Sequence, residues 1–417
     1  MRRSITLAVL GAGTVLGAAL PALAQTADGE WQADFEATAV GAAIEDESAL
    51  APSAPSALGS ATLAVTRSDT FENGLTLGWR GEVRLERDAP SRPAFAGVLG
   101  ACPASNAACP RVASGAGFVS PIAPATGLAA GGSLVDEEGF AAIEAASVSL
   151  AGPWGEGVFG LDSGAAARLD ARAPTVLRRV SAFSPGLDPT GLGITRARND
   201  VTGSSLKATY MSPRWLGLRA GASFTPEANQ RTADFDPDFE AAGLGRAELE
   251  NVWEGAVSFA RQFAEQDLRV RAAVTYSTAD SGSSFVSSPG IPVFGEYEAW
   301  GAGLELEHAG WTGGIRWLSS NNAWESGNGD YEAWEVGLVH QTGEWRYGIE
   351  GGWAEDRLTG IEGASWLVGA SRKITDNLDL GLAWTSADAD LPVLLSPSVS
   401  HTNASNDGLV IELTVRN

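Results

Sequence analysis

From about residue 30 onward, apolar and polar residues alternate with a period of two. In EWRYGIEGGWAED (344–356), Trp345, Tyr347, Ile349 and Trp353 share one parity, and Arg346, Glu350 and Gly352 share the other. Side chains alternate across a strand, so this segment has one aromatic, apolar face and one charged face. The same split recurs in GLTLGWRGEVRLER (74–87), DLRVRAAVTYS (267–277), AWGAGLELEHAGWTGGIRWLS (299–319) and NLDLGLAWTS (377–386). These runs are about nine to thirteen residues, longer than the ~5–6 of an average strand and suited to a tilted membrane-spanning strand of ~9–11.

The connections fall into two classes. One is tight: FENG (71–74), PWGE (153–156), SPRWLG (212–217), AEQD (264–267), HAGW (308–311), TGE (342–344) and ITDN (374–377). The other is mostly long and acidic or rich in Gly, Ser and Pro, near 41–58, 88–139, 163–200, 226–248, 280–295, 321–330, 356–361 and 387–406. The classes strictly alternate, which predicts an all-β, up-and-down antiparallel barrel of about sixteen strands, with turns at one rim and loops at the other. Trp215, Trp311 and Trp345 fall near the turn end. Trp253, Trp334, Trp353, Trp366 and Trp384 fall near the loop end. Two girdles around an apolar band are what interfacial aromatics favour. The apolar parity is therefore expected to face lipid and the charged parity a wet lumen. A secreted propeller would need a fixed repeat, and none is present. A sandwich would need two apolar faces to meet, whereas here the second face is crowded with Arg and Glu.

Composition adds export and excludes nucleic acid. MRRSITLAVLGAGTVLGAALPALAQ reads as a secretory leader: Arg2 and Arg3, an apolar run from Ile5 to Leu20, then Ala22-Leu23-Ala24 before Gln25. Residues 1–24 are expected to be removed, leaving a barrel over 25–417. The formal charge is -23 at pH 7. With no basic stripe to offset it, binding through phosphate neutralisation is excluded. Cys102 and Cys109 have no His neighbours to complete a zinc shell, and in an exported chain a local disulfide between them is expected. No metal and no cofactor is implied.

Several segments resemble general-diffusion porins of the alphaproteobacterial type. NDVTGSSLKATYMSPRWLGLRAGASFTP (199–226) is similar to their strand–turn–strand unit. GPWGEGVFGLDSGAA (152–166) resembles the strand leading into their third loop. DYEAWEVGLVHQTGEW (330–345) and GASWLVGASRKITDNLDLGLAWTSA (363–387) look like their late hairpins. The resemblance implies a sixteen-stranded outer-membrane barrel, usually a homotrimer among lipid and lipopolysaccharide. It also implies a third loop folded into the lumen and passive diffusion of small hydrophilic solutes and ions. One departure is the last strand, GLVIELTVRN, whose outward parity ends on Asn417 where such porins usually carry an aromatic.

The inward parity supplies the candidate pore lining: Arg80, Arg84, Lys207, Arg219, Arg269, Arg271, Arg316 and Arg346, with Glu254, Glu305 and Glu350. The candidate constriction loop, 163–200, brings Asp162 at its mouth, then Arg168, Asp170, Arg172, Arg178, Arg179 and Asp188. Its balance is basic, whereas the resemblance implies an acidic loop facing basic wall residues. Weak ion selectivity is expected, with loop arginines opposing acidic outer loops. The alternatives are a substrate-specific channel, which would need a ladder of like charges, or a barrel lipase. A lipase would need a Ser–His pair, yet His308 and His340 fall on the outward parity near the turn rim and His401 in a predicted loop. The chain is therefore read as a channel and not an enzyme.

Overall fold

The computed structural model describes residues 29–46, 57–87, 121–126, 139–183, 187–228, 245–283, 294–325, 329–395 and 398–417. The leader, Cys102 and Cys109 lie outside them. The strands are β1 (Gln32–Asp46), β2 (Ala57–Thr70), β3 (Thr76–Arg87), β4 (Pro121–Ile122), β5 (Gly139–Gly152), β6 (Gly155–Asp162), β7 (Ser205–Met211), β8 (Leu218–Glu227) and β9 (Gly245–Phe263). They continue as β10 (Leu268–Ser283), β11 (Tyr297–His308), β12 (Trp311–Ser320), β13 (Tyr331–Thr342), β14 (Trp345–Asp356), β15 (Ile361–Thr375), β16 (Leu378–Leu395) and β17 (Ser398–Arg416).

All but β4 form one ring of sequential antiparallel neighbours, closed because β1 pairs with both β2 and β17. The two-residue β4 pairs in parallel with the start of β9 at the loop rim. Closure leaves no unpaired edge in hydrocarbon. At the seam Asn417 brackets the first strand: its Nδ2 donates to the Ala33 carbonyl at 2.9 Å and its Oδ1 accepts from Phe35 N–H at 2.6 Å.

The tight class of connection has the chemistry of tight turns. Between β11 and β12, Ala309 and Gly310 both take positive φ (49° and 80°), the twist that a two-residue antiparallel turn requires. The long class is corrected at one place. Residues 387–406 form a hairpin extension, with Ala387 opposite Asn406 and the register continuing to Leu395 opposite Ser398. Ala387, Ala389 and Ala404 pack inward there, and side chains this small let the two strands run on above the rim. His401 consequently sits on a strand opposite Pro392.

The parity assignment holds around the ring. Ile349 is 53% exposed and its neighbour Glu350 1%. Val336, Leu338, Val368, Leu382, Leu409 and Ile411 continue the outward apolar band. Aromatic contacts knit its borders: Trp317 against Trp334 and Tyr276 against Trp300 at the loop end, Trp345 against Tyr347 at the turn end. An outward apolar face has no water-compatible partner among the described residues, and lipid supplies one.

Candidate functional site

The described residues between β6 and β7, 163–183 and 187–204, enter the barrel and lie against its inner wall as the two limbs of a strap. It opens with the short helix α1 (Ala165–Leu169), buried against the inward face of β8 where a Cβ on Gly221 would meet Leu169 and Ala165. The forward limb then crosses the wall toward the seam. Ala171 presses on Gly303, Pro174 on Gly314 and Gly337, Val176 on Gly348, and Leu177 on Gly381. The return limb runs nearer the loop rim: Ile194 meets Gly363 and Thr195 meets Gly352. These inward glycines are where backbone approaches backbone. A Cβ on Gly337 would stand 2.1 Å from the Pro174 carbonyl oxygen, and one on Gly303 2.2 Å from that of Ala171.

Four wall carboxylates hold the strap. Glu412 of β17 accepts from the backbone N–H of Arg178 (2.7 Å), Arg179 (2.9 Å) and Val180 (2.8 Å). Glu350 of β14 accepts from Val176 N–H and, at 3.1 Å, from Ala182 N–H. Glu335 of β13 accepts from Ala197 N–H (2.9 Å) and from Arg316 Nε (2.8 Å), while Arg316 also reaches Asp170 at 2.7 Å. Glu254 of β9 accepts from the Ser223 (2.6 Å) and Thr202 (3.3 Å) hydroxyls. Hydrogen bonds to an ionised acceptor are about twice as strong as neutral ones. Between strap and wall lies an apolar layer containing Val176, Leu177, Val180, Val339, Leu367, Ala383 and Val410.

The strap divides the sequence-predicted lining in two. Lys207, Glu254, Arg316 and Glu350 point inward but are covered and do not reach open lumen; Lys207, 2% exposed, donates to Thr202 Oγ1 (2.6 Å) and the Gly203 carbonyl (2.7 Å). The others keep a solvent-accessible surface and pair mostly with wall acids. Arg80 bonds Glu82 at 2.6 Å, Arg84 lies 3.3 Å from Glu144, Arg219 3.1 Å from Glu156, Arg269 3.6 Å from Glu307 and Arg271 3.0 Å from Glu305. Arg346 has no such partner among the described residues.

The acids of the strap are likewise absorbed. Asp162 accepts from Ser147 (2.8 Å) and Arg168 (2.7 Å), Asp170 is covered by Arg316, and Asp188 closes a local turn through Thr190 and Gly193. Arg168 is taken up by Asp162, while Arg172, Arg178 and Arg179 remain at the lumen surface. Arg178 and Arg179 both grip Glu36 of β1, at 2.6 and 2.8 Å. Arg172 is exposed; loss of hydration and the nearby Arg198 and Arg316 push its pKa below the usual arginine value. Sequence reasoning passed over Glu412 and Glu36. Glu412 is the lone charge in the apolar run GLVIELTV and shares the inward parity of Val410 and Thr414, a signal that was available. No carboxylate, Cys or His cluster able to hold a metal occurs among the described residues.

Two of the three histidines have described side chains. His308 Nδ1 lies 3.3 Å from the Asp267 carbonyl, and His340 stacks on Trp311 with centroids 4.4 Å apart.

The architecture is shared with solved outer-membrane proteins. An anion-selective porin from Comamonas acidovorans superposes with a TM-score of 0.51 at 11% identity, over 93% of this chain and 100% of that one. OmpF of Salmonella typhi, in complex with daunomycin, gives 0.53 at 11% identity over 92% and 97%. The outer membrane channel DcaP of Acinetobacter baumannii gives 0.51 at 10% over 95% and 100%. No curated protein sequence matches the chain. Residues 6–390 match the Gram-negative porin family. Because that match runs through nearly every strand whose apolar parity faces outward and whose charged parity faces the lumen, the chain belongs to the Gram-negative porin family and forms an outer-membrane channel for passive diffusion.

Proposed function

We propose that the chain is a homotrimeric general-diffusion porin of the alphaproteobacterial type, exported by cleavage of residues 1–24 and embedded among lipid and lipopolysaccharide. Its lumen admits small hydrophilic solutes and ions past a constriction whose inner-side charges are those of the strap. The observation that carries this reading is the strap itself: it narrows the lumen, its acids are absorbed, and Arg172, Arg178 and Arg179 remain at the water surface. The lining exposed beside it mixes both signs, so selectivity is weak, set by the balance between these arginines and acidic outer loops. A narrow passage focuses the field of its lining charges. The family match supports transport rather than catalysis, and the two histidines with described side chains lie at the outer surface against a carbonyl and an indole.

Planar-bilayer recording of the refolded protein under a salt gradient tests the proposal. Stepwise ohmic currents with a small zero-current potential are expected. Membranes that stay silent while the protein hydrolyses ester lipid would overturn it.

A further inference from the structure

On the turn side of the forward limb lies a cavity of about 500 Å³, lined among others by Arg178, Arg179, Arg346, Lys373, Arg416 and Leu177. Its acids are Glu36, Glu344, Asp379 and Glu412. Most of these charges are accounted for in pairs. Arg178 and Arg179 share Glu36, Arg416 lies 3.3 Å from Asp379, Lys373 bonds Asp376 at 2.6 Å, and Glu344 is taken by Arg372 at 3.2 Å. Glu412 is saturated by three backbone N–H groups.

Arg346 is the exception. Among the described residues it has no carboxylate within ion-pair distance, and its Nε is buried without a hydrogen-bond acceptor. Glu350, the nearest acid on its own strand face, spends both oxygens on the strap through Val176 and Ala182. A buried donor left unsatisfied is costly, and a guanidinium presents a planar fork that matches a carboxylate in two parallel bonds. The volume falls within the ~300–1,000 Å³ typical of small-ligand sites, and Leu177 gives it an apolar side.

We propose that this cavity is a binding subsite for a small organic carboxylate, with Arg346 as its anchoring residue and Arg178 and Arg179 as the second edge. The subsite rests on the channel reading and gives it a preferred solute class: anions carrying one carboxylate on a short polar or weakly apolar skeleton. Such a solute would dwell beneath the strap when it enters from the turn side, and neutral solutes of equal size would not.

The test uses the folded full-length protein in planar bilayers in KCl, with gluconate, glucose or inorganic phosphate added on one side. Gluconate and glucose both carry six carbons and several hydroxyls, and only gluconate carries a carboxylate. Gluconate added from the turn side should produce saturable, voltage-dependent block, whereas glucose should not. Arg346→Gln should weaken the block constant roughly tenfold, the loss expected for one charge-assisted pair, and Arg346→Lys should restore part of it. Each block constant is read against that variant's own KCl current. Block by phosphate equal to or stronger than block by gluconate would overturn the carboxylate assignment. A conducting wild-type channel on which gluconate and glucose act alike, or an Arg346→Gln variant with unchanged block, would overturn the subsite and leave the channel reading standing. A wild-type protein that inserts but carries no KCl current would overturn both.

Discussion

Glu412→Ala addresses the strap's hold on the wall at its far end. The substitution leaves three backbone donors, on Arg178, Arg179 and Val180, without their acceptor. A hydrogen bond to a charged group contributes ~1.5–3 kcal/mol, so the three together set an upper bound of roughly 5–9 kcal/mol. The first two donors lie where water can replace the carboxylate, because the Arg178 and Arg179 side chains reach the lumen. Val180 is buried, and its donor carries the full penalty. A net weakening of about 3 kcal/mol is the working figure, enough to raise the detached population of the strap tip roughly 100-fold. Glu350 and Glu335 still hold the limbs, so the barrel is expected to insert normally. The assay is single-channel recording in symmetric KCl. The variant should show a larger unitary conductance with added fluctuations of the open level. Glu412→Gln, which keeps one carbonyl acceptor, should fall between. An Ala variant with the unitary current and noise of the wild type would refute the reasoning, because the tip would then be held by its apolar contacts alone.

Four further outcomes are expected. Ile349→Arg places a cation on the lipid face and should lower insertion yield in liposomes by a cost of ~2–4 kcal/mol near the midplane, whereas Thr66→Arg, on the inward parity, should insert as the wild type does. Gly337→Val drives a side chain into the Pro174 carbonyl and should displace the forward limb, read as altered unitary conductance in a barrel that still resists dissociation in cold detergent. Arg178→Glu with Arg179→Glu sets two acids against Glu36 and should shift the zero-current potential toward cation preference; an unchanged potential would mean this part of the strap does not face the ion path. Cys102 and Cys109 should be joined, so thiol labelling of denatured, unreduced protein should find no free thiol.

Parity carried most of the fold. The alternation of Trp345, Tyr347 and Ile349 with Arg346 and Glu350 is a local property of one strand, and sixteen such strands with alternating connection lengths specify an up-and-down ring. Whatever depends on partners distant in the chain was not legible. Lys207 and Glu254 read as lumen charges because parity reports direction, and direction does not report what stands in front. The inward glycines, such as Gly337 and Gly348, were visible as residues, but their purpose appears only once Pro174 and Val176 lie on them. The 387–406 extension was missed because Asp, Ala, Ser and Pro mark a loop locally, while the register already set between β16 and β17 carries pairing past them. Arg346 was placed on the correct face, but its lack of a partner emerges only after every neighbouring charge has been paired.

The strap also constrains the order of assembly. Both its ends are fixed to adjacent strands early in the chain, β6 and β7, while the wall carboxylates that hold its limbs come from β9, β13, β14 and β17, with Glu36 from β1. The contacts of Val176 with Glu350 and of Arg178 with Glu412 span 174 and 234 residues. Contacts this distant repay their loop-closure entropy only after the intervening chain is organised. None of them can form until β13, β14 and β17 are in place, and the Glu36 clasp closes beside the final β1–β17 seam. The cylinder is consequently at its widest when its wall is first completed, and the narrowing is a late docking step of a segment synthesised long before the wall that receives it.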